Sequence, residues 1–140
     1  MWGGLDLSAT RYRAVATAPP TDRPPFMQHG MSEEYVAVGF SFGSPGSPAA
    51  AVYAYIAPQP DGLQGRSWGP DGARWIADAG LAVLPWETLR ATTDPRETII
   101  AFADAVYAAA VETAGWPADL VGPRFDGWHA SRIPPTGRGG

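Results

Sequence analysis

The run from Asp94 to Trp116, DPRETIIAFADAVYAAAVETAGW, constrains the rest of the chain more than any other stretch. Asp94 suits a helix N-cap, because its carboxylate can accept from the orphan N–H groups of the first turn. Pro95 fits the first helical position, where no N–H partner is required. Glu97 adds negative charge at the positive end of the helix dipole. Ile99, Phe102, Ala103, Val106, Tyr107, Ala110, Val111 and Ala114 recur at steps of three and four and make one apolar stripe. Gly115 stops the helix and Pro117 prevents its resumption. Such a helix runs roughly 30 Å, and an alanine-rich seam of that length needs a sheet to lie on.

The segments before it supply that sheet. Trp2 to Ala16 alternates as a strand, with Leu5, Leu7, Ala9 and Val15 as apolar markers, and Arg11-Tyr12-Arg13 predicts a bulge or an early end. Ala18 to Pro25 contains four prolines and is an extended loop. Phe26 to Met31 matches neither period. Glu33 to Phe42 is a strand with Tyr35, Ala37, Gly39 and Ser41 on one face and Val36, Val38, Phe40 and Phe42 on the other. After the loop Gly43–Pro48, Ala49 to Ala57 returns antiparallel, with Val52, Ala54 and Ile56 opposed to Tyr53 and Tyr55. Pro58 to Gly72 is a long loop in which Leu63 and Trp68 are the natural anchors. Ala73 to Ala79 reads as a fourth strand, Leu81 to Leu84 extends it or turns back as a fifth, and Pro85 opens a short helix. The expectation is therefore α+β: an antiparallel sheet of four to five strands with a long C-terminal helix packed on one face. The folded domain is expected over residues 1–121, with an irregular tail over 122–140.

Composition narrows the function. The chain has 140 residues, enough for one domain with a real core. It contains no cysteine, which removes thiol catalysis, cysteine–zinc sites and disulfides and fits a cytoplasmic setting. Net charge is −4 and no basic stripe appears, so nucleic acid is not an expected partner. No apolar run approaches the ~20 residues of a membrane span, and the N-terminus lacks the pattern of a signal peptide. No cofactor motif is present. A small molecule, a protein partner or a second copy of the chain all remain compatible.

Four stretches in order resemble one family. Trp2-Gly3-Gly4-Leu5-Asp6-Leu7-Ser8-Ala9-Thr10-Arg11-Tyr12 resembles W-G-x-F-D-L-A-x-T-R-F. Tyr53-Ala54-Tyr55 with Pro58-Gln59-Pro60 and Gly62 resembles Y-x-Y-x-x-P-E-P-x-G. Leu84-Pro85-Trp86 resembles L-P-Y, and Ala105 to Trp116 resembles Y-x-A-A-x-x-x-A-G-W. These are similar to the C-terminal half of the uncharacterised bacterial "domain of unknown function" family numbered 5996. The resemblance implies a fold and no reaction. It also shows departures: Glu33 stands at the family's histidine, His29 near a position that tends to be acidic, Gln59 at an acid, and an acid near Leu81 is gone.

Three groups carry candidate chemistry. Asp6 and Arg11 would form an anion clamp if a bulge near Thr10 brought them to one face; a structural ion pair or two solvated charges is the ordinary explanation. His29, Glu33 and Glu34 cluster before the second strand and could serve acid–base chemistry, against the simpler reading of loop charges, and no metal is expected. Tyr35, Tyr53, Tyr55, Trp75 and Trp86 either wall a small-molecule site, with Arg74 fixing orientation, or pack as core beneath the alanine-rich helix. The core reading is the expectation. Functionally, a non-enzymatic binding or interaction module is expected, the alternative being a small-molecule enzyme with an Asp/Arg/Glu site at the loop end of the sheet.

Overall fold

The computed structural model describes residues 6–44 and 48–118. In chain order the elements are β1 (Asp6–Ala16), α1 (Pro25–Gly30), β2 (Glu33–Ser41), β3 (Ala51–Ala57), β4 (Arg74–Ile76), β5 (Leu81–Pro85), α2 (Trp86–Arg90) and α3 (Pro95–Ala114), with a 3-10 turn at Ala77–Ala79. The strands form one sheet in the order β1-β2-β3-β5-β4, and every pairing is antiparallel. This is the α+β arrangement expected, and Leu81–Pro85 turns back as the fifth strand. The tail expected over 122–140 lies outside the described residues.

Helix α3 begins and ends where its punctuation places it. The Glu97 N–H donates to Asp94 Oδ1 at 3.0 Å, and Gly115 leaves the helix at φ 64°. The last turn of α3 carries no basic residue of its own. Arg13 of β1 takes that role: its Nη1 donates to the Ala114 carbonyl at 3.0 Å and to Glu34 at 2.9 Å. A guanidinium at the negative end of a helix dipole is favourable, and it ties the first strand to the last helix. Alternation puts Arg13 on the same face as Arg11, toward α3, just before the register shifts between Tyr12 and Ala16, where Ala14 adopts φ 58°.

The core lies between α3 and one sheet face. Val36, Val52, Ala54, Ile56, Ala82 and Leu84 supply the sheet side. Phe102, Val106, Ala109 and Ala110 supply the helix side, while Ile99, expected in the stripe, stays exposed. Each large side chain here is worth about 1.5–3 kcal/mol of burial. The Pro58–Gly72 loop closes over α3. Leu63 and Trp68 are buried, Trp68 stacks on Trp75 at 5.2 Å, and Arg66 pairs with Glu112 of the helix. Gly69, at φ 89°, has room for no side chain: a Cβ there would lie 2.8 Å from the Ala101 carbonyl oxygen.

One expectation is corrected. The aromatic residues do not pack together beneath α3. Trp75 turns to the helix side and Trp86 opens α2, 40% exposed, edge-on to Phe40. Tyr35, Tyr53 and Tyr55 lie on the opposite face, away from α3, by strict alternation with Val36, Val52, Ala54 and Ile56. The space their rings need comes from Ala37 and Gly39 of β2, directly across the ladder from Tyr55 and Tyr53.

Candidate functional site

The face turned away from α3 is built from alternate residues of the central strands. Alternation puts Asp6, Ser8, Thr10 and Tyr12 of β1 on it, followed across the ladder by Tyr35, Ala37 and Gly39, then Tyr53 and Tyr55. The rings run as a chain. Tyr12 and Tyr35 have centroids 5.6 Å apart, Tyr35 and Tyr55 meet edge-on at 5.7 Å, and Tyr55 and Tyr53 stack at 6.3 Å.

Tyr53 reaches furthest. Its hydroxyl donates to Asp6 Oδ2 on β1, two strands away. The ring can cross β2 only because Gly39 has no side chain: a Cβ there would sit 2.5 Å from Tyr53 Cζ. Tyr12 donates its hydroxyl proton to the Gly30 carbonyl at 3.2 Å, fastening the end of α1 to the sheet. Burial is the main cause that raises Tyr35, Tyr53 and Tyr55 above the ordinary phenol range. The side-chain interaction between Tyr35 and Tyr55 raises Tyr35 further and lowers Tyr55.

At the end of this face where α1 lies, the surface closes into a cleft of about 620 Å³. Its floor is Tyr35 and Tyr55. One wall is Thr10, Tyr12 and, from α1 and its flanks, Arg23, Met27, Gly30 and Met31. The other is Ala57, Pro58 and Gln59, whose first peptide is cis, with the turn Ala79-Gly80-Leu81. Gly80 fits closely against Gln59, since a Cβ there would lie 2.5 Å from Gln59 Oε1. The lining combines apolar Met, Leu and Pro surface with hydroxyl, amide and guanidinium groups, and contains no carboxylate or imidazole.

The structure distributes the residues singled out from sequence as follows. Tyr55 lies in the cleft floor, and Tyr53 stands beside it with Asp6. Arg11 points the other way, its guanidinium 4.7 Å from the Tyr107 ring of α3. The Asp6–Arg11 clamp is therefore not formed: the bulge falls after Tyr12, too late to change the relative faces of the two residues. His29 is exposed on the last turn of α1. Glu33 pairs in register with Ala16, and Glu34 turns to Arg13. Among the described residues no three His, Cys, Asp or Glu side chains gather as metal ligands. Arg74 is exposed on β4, opposite Val83 and on the face of Tyr53.

Sequence reasoning missed Met27 and Met31 as lining because the Phe26–Met31 stretch carried no clear period, and missed Tyr12 and Arg23 because nothing local to the first strand or the Ala18–Pro25 loop points to the cleft. It also missed the structural use of Arg13. Two departures from the resembled motifs, Gln59 and the region of Leu81, both fall in the cleft walls.

Among the described residues no helix is long and apolar enough to cross a membrane. A family model described as "Family of unknown function (DUF5996)" matches residues 1–122. No curated protein and no solved structure gives a match.

Proposed function

The chain belongs to the family of unknown function DUF5996, and on that premise we propose its function from the site itself: a non-enzymatic binding module that holds a small molecule in the tyrosine-floored cleft. The observation that carries this reading is the cleft's lining. Its volume, about 620 Å³, falls within the usual range for small-molecule sites, and its mixture of apolar walls and few polar groups is of the kind that orients a ligand. General acid–base work at neutral pH needs a group that titrates nearby. The cleft offers tyrosines shifted upward by burial, away from that range, and no carboxylate or imidazole. The enzyme alternative draws on Asp6, Arg11, Glu33 and Glu34, which occupy different faces and different partnerships.

A fragment screen by amide chemical-shift mapping tests the reading. Hits are expected to move amides of Thr10, Tyr12, Met27, Tyr55, Gln59 and Leu81 together while leaving Phe102 and Val106 unmoved. Hits that scatter over the surface, or that gather on the α3 side, would overturn it.

A further inference from the structure

The cleft has an electrostatic polarity that its shape alone does not disclose. Its charged lining group is Arg23, whose nearest acid is its neighbour Asp22, 3.9 Å away and largely exposed. Asp22 and Asp78 adjoin lining residues in sequence and do not themselves line the cleft. Tyr12 spends its proton on the Gly30 carbonyl. Tyr55, whose ring meets Tyr35 edge-on at 5.7 Å, places a hydroxyl donor in the same cleft lining as Arg23. Around these groups lie flat or flexible apolar surfaces: the Tyr55 ring, Pro58, Leu81, and the thioethers of Met27 and Met31, which adapt to aromatic edges.

Resting on the binding role above, we propose that the ligand is a planar carboxylate: an aromatic body lying on the tyrosine floor, with its carboxylate held by the Tyr55 hydroxyl and the Arg23 guanidinium. A carboxylate accepts at both oxygens and suits a hydroxyl and a guanidinium together. A cation of the same shape would meet donors and a like charge. The ring supplies the area, and the polar pair supplies the selectivity.

The test holds the ring constant and changes the head group. 2-Naphthoate, 2-naphthalenemethanol and 2-naphthylmethylamine are titrated by calorimetry into the full chain and into Arg23→Gln, Tyr55→Phe and Gln59→Glu, at low salt. Naphthoate is expected to bind about tenfold more tightly than the amine. Arg23→Gln and Tyr55→Phe should each weaken naphthoate several-fold and leave the alcohol nearly unchanged. Gln59→Glu, which adds a carboxylate to the wall, should weaken naphthoate and improve the amine. The carboxylate assignment is overturned if the amine binds as well as naphthoate, or if Arg23→Gln weakens acid and alcohol equally. If all three probes fail while uncharged fragments still map to the cleft, the ligand class is wrong and the binding role stands. If nothing maps to the cleft, the binding role itself falls.

Discussion

Replacing Gly39 by alanine should reverse the usual sign of that substitution. In a strand interior, alanine for glycine ordinarily stabilises by about 0.5–1 kcal/mol, since glycine loses more freedom on folding. Gly39 lies mid-strand and has no left-handed φ that would demand glycine. Its new Cβ would nevertheless sit 2.5 Å from Tyr53 Cζ, 2.6 Å from Tyr53 Oη and 2.6 Å from the Leu7 carbonyl oxygen. The ring can swing aside only by giving up the Asp6 hydrogen bond, worth about 1 kcal/mol at so exposed a position. The Leu7 oxygen is backbone, so β1 itself must shift, an overpacking cost of about 1–3 kcal/mol. Set against the gain of about 0.5–1 kcal/mol, the net is a loss of about 1–3 kcal/mol, which for a domain of this size lowers the melting temperature by roughly 3–10 °C. Thermal unfolding followed by circular dichroism reads it directly. Tyr53→Phe separates the parts, losing only the hydroxyl and about 1 kcal/mol. A Gly39→Ala variant that melts at or above the wild type would refute the steric account of how Tyr53 crosses β2.

Three further outcomes follow from the same geometry. Gly115→Ala should cost about 1 kcal/mol in urea unfolding, because a Cβ there meets nothing and only the left-handed φ of 64° opposes it. Arg13→Met should cost about 1–2 kcal/mol, with Glu34→Gln costing less, since Arg13 also serves the Ala114 carbonyl; amide exchange at Gly115 and Trp116 should quicken only in the first variant. Stability should fall as pH rises above about 10. Tyr35, Tyr53 and Tyr55 have folded values above the 10.0 of a free phenol, so their contribution is complete below 10 and is lost as pH climbs toward those folded values. Urea midpoints across that range, with tyrosinate absorbance alongside, should show a slope that Tyr55→Phe reduces.

Much of the fold was legible because its signals are local. The Asp94 cap, Pro95 and Gly115 mark α3 to the residue, and the two-residue alternation of Glu33–Phe42 and Ala49–Ala57 sorts the side chains correctly into two faces. What alternation cannot say is which face the helix covers. A tyrosine face opposite an alanine-rich seam is plausible as core, yet the helix takes the Val/Ile/Leu face, and the rings settle on Ala37 and Gly39 of the neighbouring strand. That choice depends on cross-strand register, which one strand read alone does not carry. The cleft was harder still. Arg23, Met27 and Gln59 meet Tyr55 through two loops and a six-residue helix whose path no periodicity specifies. The Arg13 contact with Ala114 spans 101 positions and has no local signature at all.

The left-handed turn at Ala14 also bears on how this sheet behaves among other chains. β1 is an outer strand of 11 residues with most of its surface exposed, including Leu7 and Val15. A long, straight outer strand offers a ready row of backbone donors and acceptors on which a second strand can add. Here the row is interrupted: regular pairing with β2 runs from Asp6 to Tyr12 and resumes only at Ala16. An incoming strand would find a short template that twists away at Ala14, flanked by the charges of Asp6, Arg11 and Arg13. The irregularity that follows Arg13 thus shortens the surface on which aggregation would begin.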